Sequence, residues 1–165
     1  MDRLWTPWRF AYVSSVARED DEECVFCRIL AEERDAENYL LFRGKFLFII
    51  LNIYPYTSGH LLIVSRRHIA SLEEAESHEL HSFADLAQAC ERALRLAYGP
   101  DGFNMGFNLG RSAGAGVEHH LHMHVLPRWV GDSSFVSVVS ETRVIPEALD
   151  QTYRRLLPHF QGLPF

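Results

Sequence analysis

Apolar and polar positions alternate with a period of two in two stretches of the chain. From Phe103 to Leu109, Phe103, Met105, Phe107 and Leu109 interleave with Asn104, Gly106 and Asn108. From residue 120 the order is His120, Leu121, His122, Met123, His124, Val125, Leu126. Successive side chains of a strand point to opposite faces, so both stretches predict half-buried strands. In the second, Leu121, Met123 and Val125 turn to a core while His120, His122 and His124 share the other face. Unbroken apolar runs at 39–42 and 46–52, separated by Arg43-Gly44-Lys45, predict a hairpin. A turn-rich loop, Asn52 to Gly59, leads to a third strand, His60–Val64. From Ser77 to Tyr98 the period changes to that of a helix, with Leu80, Phe83, Ala84, Ala87, Cys90, Ala93, Leu94 and Ala97 on one stripe. Gly99-Pro100 stops it. Shorter signals predict a helix over 28–37, a capping box at Ser71/Glu74, and a strand from Phe135 to Val139. A last helix opens at Pro146, with Leu149, Tyr153, Leu156 and Leu157 as its stripe. These elements predict an α+β fold: an antiparallel sheet with one long helix packed on it and a C-terminal helix.

At 165 residues, 47% hydrophobic and 23% charged, the chain fits one globular domain, 1–165. A net charge of −6 argues against a nucleic-acid polymer as partner. No apolar run reaches the length of a membrane span, and the first residues lack the pattern of a signal peptide, so a cytoplasmic location is expected. Three cysteines do not make a disulfide framework, and Cys90 reads as a small buried hydrophobe. The arm at 1–23 carries Trp5, Trp8, Phe10 and Tyr12, which are costly to leave in water. It packs on its own domain or crosses to a second subunit. Ala17 to Glu23 is acidic and reads as surface.

The wet face of a strand needs only polar residues, and Lys, Thr or Ser would serve. Three histidines in three successive polar slots point instead to a functional row. Imidazoles in a row suit a metal site, or nucleophilic catalysis in which one attacks and its neighbours position it. The segment before the row, Gly110-Arg111-Ser112-Ala113-Gly114-Ala115-Gly116-Val117, offers backbone N–H groups to an anion. A nucleophile row beside such a loop points to phosphoryl or nucleotidyl transfer. Cys24-Val25-Phe26-Cys27 is a C-x₂-C knuckle that can give two thiolates to a tetrahedral zinc, the other two ligands coming from elsewhere. A redox pair and two isolated core cysteines are its alternatives.

Residues 120–126 match the His-φ-His-φ-His-φ-φ motif at every position, and the chain resembles the histidine triad family over most of 39–130. Leu4-Trp5-Thr6-Pro7-Trp8-Arg9 is similar to the start of its dinucleoside-polyphosphate phosphorylase-like branch. Gly116, where many members carry Ser or Thr, and one additional residue between Val117 and His120 are departures that the branch shares. The resemblance implies a nucleotide substrate, an adenosine-containing polyphosphate, cleaved through a nucleotidyl-histidine by a catalytic core at 24–130, with a C-terminal extension at 131–165. His122 would be the nucleophile, His124 its phosphate-orienting neighbour and His120 the row's first member. Asn108, Gly116 and Val117 would bind the α-phosphate, and Asn52 the ribose. It further implies one structural Cys₂His₂ zinc on Cys24, Cys27, His68 and His120, no catalytic cofactor, and a homodimer. Two other classes stay open at this point: a metallohydrolase using the row as ligands, and a nucleotide-binding regulatory module.

Overall fold

A computed structural model describes residues 24–132 and 147–164. The expected arm at 1–23, the strand at 135–139 and the helix-opening Pro146 lie outside them. Among the described residues, five strands form one antiparallel sheet in the order β1-β2-β3-β5-β4. They are β1 (Leu40–Arg43), β2 (Leu47–Leu51), β3 (Leu61–Ser65), β4 (Gly102–Phe107) and β5 (His122–Arg128). The hairpin, the third strand and both alternating strands therefore stand where the hydrophobic pattern predicts them, within two residues at either end.

Strands β2 and β3 are buried along their whole length. That explains their unbroken apolar runs, because both faces of the sheet are covered. On one face lies α2 (Ser77–Tyr98), which brings Phe83, Leu86, Ala87, Cys90, Ala93 and Leu94. They pack on Leu47, Ile49, Leu51, Leu61 and Ile63 of the sheet, with Leu121 and Val125. The C-terminal helix α3 (Leu149–Leu156) adds Leu156, and Phe160 follows it into the same core. On the other face lies the short helix α1 (Val25–Ala31), whose Phe26 packs with Leu40, Phe48, Ile50, Leu62 and Val64.

Three local expectations are corrected. The helix expected over 28–37 is α1, which starts at the knuckle and ends at Ala31. Arg43 ends it: its guanidinium donates to the carbonyls of Leu30 and Glu32 and to the Asp35 carboxylate, satisfying acceptors that a longer helix would have used internally. Ser71 and Glu74 do bond, Oγ to Oε1 at 3.0 Å, but they close a 3₁₀ turn, Leu72–Glu74. The long helix is capped instead by Glu76 and Glu79, the Glu79 carboxylate accepting the Glu76 N–H at 2.8 Å. Finally, β5 begins at His122, so His120 precedes the strand expected to hold all three histidines.

Candidate active site and metal centre

Register decides which face the histidines take. Leu62 pairs with His124 and Val64 with His122, and paired residues of an antiparallel ladder share a face. His122 and His124 therefore stand on the Phe26 side of the sheet, while Leu121 and Val125 enter the core under α2. His120 lies on the same side as His122: the Phe26 ring is 5.3 Å, centre to centre, from each. The row holds, although its first member is fixed by a turn rather than by the strand.

Each histidine has one ring nitrogen committed to a different partner, and this sets its tautomer. His120 Nε2–H donates to the Ser65 carbonyl at 2.6 Å. Its Nδ1 lone pair faces the Cys24 and Cys27 sulfurs at 3.2 and 3.6 Å. His122 Nδ1–H donates to the His120 carbonyl at 2.7 Å, which leaves the lone pair on Nε2. His124 has the opposite arrangement. The Tyr56 N–H and the Asn52 amide reach His60 Nδ1 at 3.1 and 3.3 Å, so His60 carries its proton on Nε2. From there it donates to His124 Nδ1 at 2.9 Å. The His124 proton is then on Nε2, a buried atom with no partner among the described residues. Burial pushes the His124 imidazole down to about 4, with neighbouring His122 adding to the effect. Burial likewise lowers His122 and His120, against the opposing pull of their backbone hydrogen bonds. At neutral pH the site thus presents a neutral imidazole lone pair at His122 beside a neutral N–H donor at His124.

The second centre is formed by Cys24, Cys27, His68 and His120, whose ligand atoms all lie within 4.8 Å of one another. Cys24 is the residue before α1 and Cys27 lies in its first turn. His68 follows β3, where Ser65 Oγ donates to the Arg67 and Leu121 carbonyls and ties that turn to the segment carrying His120. His68 Nδ1 is 3.3 Å from Cys27 Sγ. A tetrahedral zinc with bonds of about 2.3 Å to sulfur and about 2.0–2.1 Å to nitrogen has S···N edges near about 3.5 Å. The donor set and its spacing fit a metal ion of that kind.

Asn52 accepts the Tyr54 N–H on Oδ1 at 2.9 Å, the turn-forming role of an Asn at a strand end. Asn108 follows Phe107, which pairs with Met123, so it stands beside His122 at the end of the β4–β5 ladder. Val117 packs against the Phe26 cluster. Gly116 is exposed, and a Cβ there would meet nothing. Gly110 and Gly114 have φ of 77° and 85°, so the loop's turns use backbone that side chains disfavour. Sequence reasoning passed over His60 and Phe26. The signal for His60 was parity: residues 60, 62 and 64 share the face that receives the row. Phe26 was hidden by its own position between two candidate metal ligands.

A five-stranded antiparallel sheet that aligns three histidines beside a glycine loop defines a histidine triad protein. Residues 33–130 match the HIT domain, and the chain belongs to that family. It is 38% identical to the AP-4-A phosphorylase of Mycobacterium tuberculosis, over 99% of this chain and 87% of that one. Among solved structures it is similar to a zinc-bound histidine triad family protein from Mycobacterium smegmatis, with TM-score 0.68 and 30% identity over 84% of this chain and 93% of that one. A hypothetical histidine triad nucleotide-binding protein from Sulfolobus tokodaii gives TM-score 0.66 and 28% identity over 82% and 91%. The family and the phosphorylase relative support an enzyme of the nucleotide hydrolase or transferase type.

Proposed function

We propose that this chain cleaves an adenosine-containing dinucleoside polyphosphate through a nucleotidyl-histidine at His122, and that inorganic phosphate resolves the intermediate. The observation that carries this is the pair of opposed tautomers, a lone pair on His122 Nε2 next to an N–H on His124 Nε2. The Nε2 lone pair attacks the α-phosphorus, the bond to the bridging oxygen breaks, and that oxygen leaves with the electron pair. The His124 N–H stabilises charge on a phosphate oxygen during the transfer. Asn108 and the N–H groups of Gly116 and Val117 take the other phosphate oxygens, and Asn52 the ribose. Phosphate then attacks from the side vacated by the leaving group. The P–N bond breaks and its electrons return to His122, releasing a nucleoside diphosphate.

Cys24, Cys27, His68 and His120 would hold one zinc with a closed shell, whose role is to staple α1 to the row. The metallohydrolase reading is not favoured, because the metal-capable cluster among the described residues takes only His120 from the row. The protein acts as a homodimer in the cytoplasm. The outer edge of β4 and the exposed Leu96 of α2 support the first part. The two thiolates of the metal centre, which need reducing surroundings, support the second.

The experiment is to incubate the protein with diadenosine tetraphosphate, with and without phosphate, and identify the products. ADP with a histidine-bound nucleotide trapped on His122 is the expected result. AMP as the main product at saturating phosphate would overturn phosphorolysis. Absence of any adduct, with full activity in His122→Ala, would overturn the covalent route. A monomer in sedimentation at micromolar concentration would remove the dimer.

A further inference from the structure

We propose that the loop between β2 and β3 carries an aromatic platform for the second, distal nucleobase of the substrate, centred on Tyr56 and extended by Tyr54. This rests on the dinucleotide reading above and assigns a subsite to it. Ile53, Tyr54 and Tyr56 are 52%, 76% and 41% exposed, three of the large apolar side chains with exposed surface among the described residues. They are close together on one loop, and the loop ends at the active site.

The loop is held rather than loose. The Tyr54 N–H is tied to Asn52 Oδ1 at 2.9 Å and the Tyr56 N–H to His60 Nδ1 at 3.1 Å. The Asn52 N–H reaches the His60 carbonyl at 3.0 Å. Gly59, with φ of 77°, lets the chain press against α2, where a Cβ would come within 2.9 Å of Leu94. Aromatic rings on a fixed backbone lose little further freedom when a ligand arrives.

Their position says what they would take. The rings run in the order His122, His124, Tyr56, with centres 5.1 and 6.1 Å apart. The Tyr56 ring lies within 15° of parallel to His124. A planar group laid on its exposed side would continue that stack, one ring-step beyond the imidazole that faces the reacting phosphate. That offset suits a base at the far end of a polyphosphate. No residue from 53 to 59 is charged. The side chains of the loop therefore offer no charge to the phosphates and a π-face to a neutral base.

The test compares diadenosine tetraphosphate as substrate with adenosine 5′-tetraphosphate as competitive inhibitor, since they differ only in the second nucleoside. Tyr56→Leu and Tyr54→Ala should each raise KM for the dinucleotide about tenfold, the loss expected of one base–aromatic stack. The Ki of adenosine 5′-tetraphosphate should stay within about twofold, since it lacks the base that the stack would hold. Tyr56→Phe, which keeps the ring, should restore KM. An equal loss for both compounds would assign the platform to the first base and overturn the proposal. Unchanged KM would overturn it too, and a concentration-dependent sedimentation shift in the same variants would then assign the patch to self-association. If wild-type protein turns over no dinucleotide, the parent reading has failed rather than the subsite alone.

Discussion

At the scale of single residues, hydrogen bonds assign the protons of the candidate site, and His60 does so at one remove from the proposed chemistry. Without its Nε2–H, no group among the described residues fixes the His124 proton on Nε2. For His60→Ala we expect kcat to fall about tenfold to a hundredfold with KM changing less, the usual cost of mispositioning a reacting group. An equal fall in kcat/KM through KM alone would place His60 in substrate binding instead. Cys90 is inert by comparison, because its complete burial pushes the thiol far above its usual range. In folded protein, a thiol reagent followed by mass spectrometry should label Cys24 and Cys27 when metal is removed and leave Cys90 untouched. Zinc should protect the first two.

At the scale of elements, most of the architecture was readable from period alone. A helix stripe, two alternating strands and two unbroken runs between turn signals suffice for the sheet and for α2. What the pattern could not supply was set by distant side chains. Helix α1 stops early because Arg43, from β1, occupies its last carbonyls. The start of α2 is set by Glu79, which is buried while bonded to the exposed Arg67. The candidate site divides in the same way. The row and the knuckle were legible as motifs, whereas His60 became visible only once β3 was paired with β5. In energetic terms, the long helix should be the element most sensitive to truncation. Leu94→Ala, at a fully buried position, should destabilise the fold by about 2–5 kcal/mol in urea unfolding.

At the scale of the whole molecule, the buried imidazoles link stability to pH. His124 is held at about 4, below the ordinary 6.5, and faces His122, His60 and Tyr56. Above 6.5 it is neutral in both folded and unfolded chains and contributes nothing to the pH dependence. As pH falls from 6.5 to about 4, the unfolded chain takes a proton that the folded one refuses, so stability is lost across that window. The shift corresponds to at most about 3–4 kcal/mol, at about 1.36 kcal/mol per pKa unit, and solvent screening reduces it. Urea midpoints at about pH 7 and about pH 4.5, on either side of most of that window, should differ accordingly, and His124→Gln should flatten the difference. An unchanged slope in that variant would falsify the assignment.

The pairing of β5 between β3 and β4 has a further consequence for how this chain tolerates insertions and deletions. Inside the strand, parity governs: one added residue after Leu121 would exchange His122 and His124 for their apolar neighbours, placing Met and Val on the face of the row and imidazole in the core. Upstream, length is nearly silent, because the Ser65 carbonyl anchors His120 whatever the loop before it does. The additional residue between Val117 and His120 falls on the permissive side of that boundary. A glycine inserted after Gly114 should therefore leave the unfolding midpoint close to that of the parent, and the same insertion after Leu121 should abolish cooperative unfolding.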